Sequence, residues 1–309
     1  MFEAYEEFEV AVGDGRVVGR VAPSADPTHP VLLLLHGHPQ THVIWHRVAD
    51  RLAQSFTVVA ADLPGYGGSR PSSPGADALT KRSMAADLVA AMEVLGARHG
   101  FDRYAVCAHD RGARVTHRLL VDHPGRVTRA MLLDIAPTLD MYDGTTRAFS
   151  TAYWHWFFLI QSAPLPERLI GADPDAYLDA VMGFGPTGMA PFADEALAAY
   201  RLALRDPEVV HGMCEDYRAS AGRDLDLDRA DRAGGVRVEV PLRVLWGRDG
   251  VVERLFDPLA LWSRVATDVT GGLVDCGHYI PEERPDDLLA EIHGFFGDGR
   301  SQDPPPPQL

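Results

Sequence analysis

Two hydrophobic periods run along the chain. "FEVAV" (8–12) and "RVVGRVA" (16–22) alternate apolar and polar positions, the period of half-buried strands, and predict an opening antiparallel hairpin. "VLLLLHG" (31–37), "FTVVAADLPG" (56–65), "YAVCAH" (104–109), "RAMLLDIAP" (129–137), "LRVLWG" (242–247) and "TGGLVDCGH" (270–278) are apolar runs closed by turn residues or acids. A strand reads this way when helices cover both faces of a parallel sheet. Helical spacing lies between the runs: about 40–54, then "SMAADLVAAMEVLGARHG" (83–100) with Gly100 as its C-cap, then Arg111 to Val121, and segments near 256–266 and 284–296. The alternation predicts an α/β fold with a doubly wound, mostly parallel sheet.

One stretch breaks the alternation. Residues 137–225 contain no buried-strand pattern, only aromatic and helical segments such as "AFSTAYWHWFFLI", "DEALAAYRLAL" and "VVHGMCEDYRAS". They are expected to form a helical cap inserted after the fourth buried strand, over the carboxyl ends of the strands, where it can exclude water. The core is then residues 1–136 and 226–298, and the Pro-rich tail 299–309 is expected to be disordered.

Composition narrows the function. The 309 residues are 46% hydrophobic, enough for one large domain. The net charge of −15 disfavours nucleic acid and anionic membrane surfaces as partners. A site can still carry a local field of the opposite sign. Cys107, Cys214 and Cys276 are odd in number and each sits in an apolar setting, which points to buried free thiols in a reducing compartment. The start lacks a basic region followed by an apolar run, and no stretch approaches a bilayer span, so a cytoplasmic location is expected. His42 and His46 lack a carboxylate pattern, so neither a metal nor any other cofactor is expected.

The chemistry gathers at "AVCAHDRGARVTHRLL". A buried strand runs into His109-Asp110-Arg111-Gly112 and then into a helix. This strand–turn–helix corner presents a nucleophile, and the nucleophile position holds Asp110. The helix N-terminus keeps it ionised. A carboxylate attacks amides poorly but can displace a leaving group from saturated carbon, leaving an ester that must then be hydrolysed. That second step needs a base and an oxyanion hole. His278, just after the last strand, is the base expected from chain order. The backbone amides of Arg111 and of His38 in "HGHP" are the expected oxyanion hole. The acid that orients His278 has two candidates. Asp134 ends an apolar strand, a costly place for a carboxylate without a partner, and is preferred. Asp249, in "WGRDG", is one residue early for the usual position, which Gly250 occupies. Arg111 and Arg114 share a helix face beside the nucleophile and are expected to grip a substrate carboxylate bidentately. In the cap, Tyr153, Trp154, His155, Trp156 and Tyr217 offer N–H and O–H donors that suit a small leaving anion.

Together "HGHPQTHVIWH", "ADLPGYGGS", "HDRGARVTHRL", "LDIAPTLDMY", "YWHWFFLIQSAPLPERLIG" and "EDYR" resemble the fluoroacetate (haloacetate) dehalogenases, a branch of the α/β-hydrolases. The resemblance spans about residues 5–298 and implies the α/β-hydrolase fold. It also implies Asp110 as nucleophile, His278 as base and Asp134 as acid. Arg111 and Arg114 then bind the carboxylate of a small haloacid, and His155, Trp156 and Tyr217 bind the halide. A homodimer is implied too. His38 departs from the phenylalanine often found there in the family, which puts pocket polarity and halide preference in question. The nearest rival is an epoxide hydrolase, which shares the Asp/His pair and would use Tyr153 and Tyr217 as acids. It has no need of the two arginines. A non-catalytic receptor for an organic acid would keep the arginines and not need His278 or Asp134.

Overall fold

The computed structural model describes residues 1–75, 77–185 and 187–297, so the tail expected to be disordered lies outside the described residues. Eight strands form one sheet: β1 Glu6–Val12, β2 Gly15–Ala22, β3 Val31–Leu35, β4 Thr57–Ala61, β5 Tyr104–His109, β6 Val127–Leu133, β7 Leu242–Gly247 and β8 Val269–Val274. Their order is β1-β2-β4-β3-β5-β6-β7-β8. β2 pairs antiparallel with β1 and β4, and every other pairing is parallel. β3 explains the unbroken apolar runs. Leu33 and Leu35 pack into one core, Leu32 and Leu34 into the other, and all four are fully buried.

The long helix Lys81–His99 begins at Thr80, whose hydroxyl accepts from the Ser83 amide. It ends at Gly100, where a φ of 82° gives the left-handed C-cap that the sequence predicts. The expected helix at 40–54 is different. It is a 3-10 turn, His42–Trp45, and one helical turn, Ala49–Leu52. Asp62 accepts from both the amide and the ring of His42 and holds this segment as a loop against β4, a contact invisible to local periodicity.

Between β6 and β7 the chain is helical. The helices are Thr138–Asp143, Arg147–Ala152, Trp154–Leu159, Leu165–Ala172, Pro174–Met182, Asp194–Leu204, Pro207–Ser220 and Arg223–Ala233. The expected end of the cap at residue 225 falls inside the last of these. Asp224, an acid at the edge of the expected cap, is buried there against Lys81 of the core. All three cysteines are buried free thiols. No helix among the described residues is long and apolar enough to cross a membrane.

Candidate active site

The site is built where β5 turns into the helix Asp110–Asp122. Asp110 has φ 42°, a left-handed conformation that a residue with a side chain rarely adopts. Close packing holds the corner. The Gly112 amide donates to the His36 carbonyl at 2.8 Å, and a Cβ on Gly112 would lie 2.5 Å from that oxygen. The corner therefore needs a residue without a side chain two positions after Asp110. His36, a turn residue, accepts from the Leu63 amide and donates to its neighbouring carbonyl, tying the loop after β3 to the one after β4.

Asp110 lines a cavity of about 280 Å³ with His38, Tyr153, Trp154, His155, Trp156, His278 and Tyr279. Its Oδ2 accepts from the His38 amide at 3.0 Å. The neighbouring Arg111 amide stands in the first turn of the helix, where backbone N–H groups lack intrahelical acceptors. Burial alone would raise the Asp110 pKa, but the charges of His278, Arg114, His109 and Arg111 outweigh it and hold the carboxyl well below the usual range.

His278 follows β8. Its Nδ1 lies 2.5 Å from Asp134 Oδ2, and the other Asp134 oxygen accepts from the Gly247 amide. Of the two candidate acids, the structure brings Asp134 to the histidine. Asp249 is exposed at the mouth of the cavity. Gly250 faces Asp134, with its would-be Cβ 3.2 Å from Oδ1, so the loop after β7 leaves room for a carboxylate that arrives from β6. Asp134 has φ 53°, so acid and nucleophile both sit in strained turns that end strands. Burial lowers the His278 pKa, but the hydrogen bond and charge of Asp134, aided by Asp110, outweigh it and leave the imidazole above its usual value. The His278 carbonyl accepts from His109 Nε2, and the Glu283 carboxylate accepts from the amides on either side.

Most guanidinium nitrogens of Arg111 and Arg114 are already engaged within the protein. Arg111 gives Nε and Nη2 to Asp216 at 2.7 and 2.8 Å, and Nη2 also reaches Ser220. Arg114 gives Nη1 to the Ala136 carbonyl and Thr138, and Nη2 lies 3.2 Å from the Met141 sulfur. The reason is desolvation: a fully buried guanidinium needs a fixed counter-charge or acceptors before any ligand arrives. What remains is one nitrogen on each, Arg111 Nη1 and Arg114 Nε, buried and without a protein partner.

Asp216 is the residue that sequence reasoning missed. It also binds Lys81 and accepts from the Tyr66 hydroxyl, joining the cap to the core beneath the cavity. An acid inside the mostly apolar face of "VVHGMCEDY" was the available signal. The neighbouring Tyr217 does not line the cavity. Its ring packs 4.0 Å over the Arg111 guanidinium and against His38, His155 and Trp156, and its hydroxyl is buried and unpartnered. The Arg114 guanidinium lies over the Trp156 ring. The side chain of His38 does reach the cavity wall and is 2% exposed. On the cap, Glu167, His211 and Glu215 come close enough to share a cation, but Arg218 already pairs with both carboxylates.

Comparison with known proteins places this geometry. A family model for the alpha/beta hydrolase fold matches residues 30–176. A fluoroacetate dehalogenase from Burkholderia sp is 41% identical over 304 residues and covers 97% of either chain. A soluble epoxide hydrolase from Corynebacterium sp. (strain C12) is 31% identical, over 86% of this chain and 89% of its own. The solved structure of ALR0039 from Nostoc sp PCC 7120 superposes with a TM-score of 0.89 at 45% identity, covering 96% of this chain and 99% of that one. With an acid-bearing corner, a His278–Asp134 pair and a helical cap between β6 and β7, this chain belongs to the fluoroacetate dehalogenase family of the α/β-hydrolases.

Proposed function

We propose that the protein hydrolyses the carbon–halogen bond of a short 2-haloacid, fluoroacetate or chloroacetate, to glycolate and halide. One observation carries the reading. An ionised carboxylate is coupled electrostatically to Arg111, Arg114 and Tyr217, and each of these keeps a buried polar atom without a protein partner: Arg111 Nη1, Arg114 Nε and Tyr217 Oη. Buried donors without acceptors are costly, and an anionic ligand relieves the cost.

In this reading Arg111 and Arg114 take the substrate carboxylate, one nitrogen each, and hold the α-carbon before Asp110. Oδ2 rests on the His38 amide, so Oδ1 attacks. A C–O bond forms, the carbon–halogen bond breaks, and the halide leaves with the bonding pair toward His155, Trp156 and Tyr217. His278, oriented by Asp134, then takes a proton from water, which adds to the Asp110 carboxyl carbon. The amides of His38 and Arg111 stabilise the oxyanion. Collapse expels the glycolate oxygen, which takes its proton from His278, and the Asp110 carboxylate is restored. The side chains named supply every group that these two steps require. The likeness to a relative of 41% identity supports the substrate class.

The test is halide release from fluoroacetate and chloroacetate, followed with a fluoride electrode and by ion chromatography. Fluoride and chloride are expected at comparable rates, with glycolate in equal amount. Release of neither ion, with hydration of a small epoxide instead, would establish the rival reading. That rival draws on Tyr153 and Tyr217, whose hydroxyls burial keeps protonated far above the ordinary tyrosine range.

A pH effect follows from the same geometry. The base must be neutral, so kcat is expected to fall on the acid side as His278 protonates. In the free enzyme Asp110 helps to raise the His278 pKa. In the ester Asp110 is uncharged, so that contribution is gone. The acid limb of single-turnover ester hydrolysis should therefore lie at lower pH than the His278 titration of the free enzyme followed by NMR. Coincident midpoints would contradict this placement of the ester.

A further inference from the structure

His38 does more in this fold than lend its amide. Its ring is buried between cap and core, stacked on His155 at 5.7 Å with the planes 8° apart, and edge-on to Tyr217 at 5.2 Å. Nε2 lies 2.9 Å from the Tyr177 hydroxyl of the cap. Burial pushes the imidazole pKa down to about 3, so the ring is neutral at any working pH and carries one N–H. Burial also holds the Tyr177 hydroxyl protonated well above its ordinary range. Among the described residues, His38 Nε2 is the only acceptor within hydrogen-bond reach of that hydroxyl. Tyr177 therefore donates to Nε2, and the imidazole proton sits on Nδ1. Nδ1 is buried and has no partner.

We propose that His38, held in this tautomer by Tyr177, is a specificity-determining residue whose Nδ1–H donates to the departing halide alongside His155, Trp156 and Tyr217. The inference rests on the dehalogenase reading and deepens it. A neutral donor fits this role, because it stabilises the charge that builds on the halogen without tying down a halide through a full ion pair. The benefit depends on the halogen. Fluoride concentrates its charge in the smallest volume and gains most from each N–H, whereas bromide leaves with little help. Tyr177 is a positioning residue here. Without its hydroxyl the ring can place its proton on either nitrogen, and an Nδ1 lone pair would face the leaving anion.

The experiment compares kcat/KM for fluoroacetate and bromoacetate in the wild type, His38→Phe and Tyr177→Phe. His38→Phe keeps the aromatic packing and the backbone amide. Its fluoroacetate value should fall at least about 10-fold more than its bromoacetate value, the loss of one charge-assisted hydrogen bond. Tyr177→Phe should shift the ratio in the same direction by a smaller factor. If His38→Phe fails to fold, as judged by circular dichroism, the Tyr177→Phe ratio decides alone. Equal losses on both substrates, or none, overturn the role of His38 while leaving the dehalogenase reading intact. Release of neither halide by the wild type overturns that reading, and this inference with it.

Discussion

Asp110→Asn protein should release no halide above background, a loss on the order of 10⁴-fold or more in kcat, while keeping its fold and its affinity for a haloacid. The size follows from the position. The carboxylate is held by one strained residue between β5 and its helix, and in the proposed mechanism it is the group that forms the bond to carbon. The introduced side-chain amide is isosteric with the carboxylate, so the His38 N–H keeps an acceptor. Binding is read by ligand-induced protection against heat, turnover by ion chromatography, and the identity of the substituted side chain by peptide mass after the assay. A well-folded Asp110→Asn variant that turns over would remove Asp110 from the mechanism. A single turnover of the wild type in ¹⁸O-water should label the Asp110 peptide, because water adds to the enzyme carboxyl and not to the substrate carbon.

The His278→Asn variant should behave differently. One halide per site should appear at a rate close to that of the wild type, followed by arrest. Steady-state kcat should fall by about 10³-fold, within the range for loss of a general base. The carboxymethyl ester on Asp110 should accumulate and be visible in the intact mass. The reasoning is electrostatic as well as chemical. Displacement needs only an ionised Asp110, and with His278 gone Arg114, His109 and Arg111 still depress its pKa. Hydrolysis needs a proton acceptor aimed by Asp134, and no other such group lines the cavity among the described residues. Continued turnover without a trapped ester would mean that another group activates the water.

Much of this was legible along the chain. The continuous apolar runs predict the parallel strands because a strand covered on both faces has no polar side to show. Gly100 and Thr80 mark the ends of their helix by local chemistry. Asp110 and Gly112 declare the corner, since that turn tolerates little else around a nucleophile. Asp134 could be chosen over Asp249 because a carboxylate that ends an apolar strand must find a partner. His278 followed from chain order. Which arginine nitrogens are engaged within the protein, and how far the last helix before β7 runs, were not legible.

Those two features share a cause. Periodicity, capping and turn chemistry act over a few residues, so the sequence by itself determined the layered α/β core, the corner with its carboxylate and the presence of a helical excursion between β6 and β7. Tertiary structure alone decided how the buried charges are spent. Arg111 meets Asp216 across 105 residues, and His38 meets Tyr177 across 139. Neither pairing leaves a local trace, because each exists only to satisfy a polar group that folding removes from water. The same desolvation leaves single atoms of Arg111, Arg114, Tyr217 and His38 buried without partners, and their placement is a property of the assembled pocket.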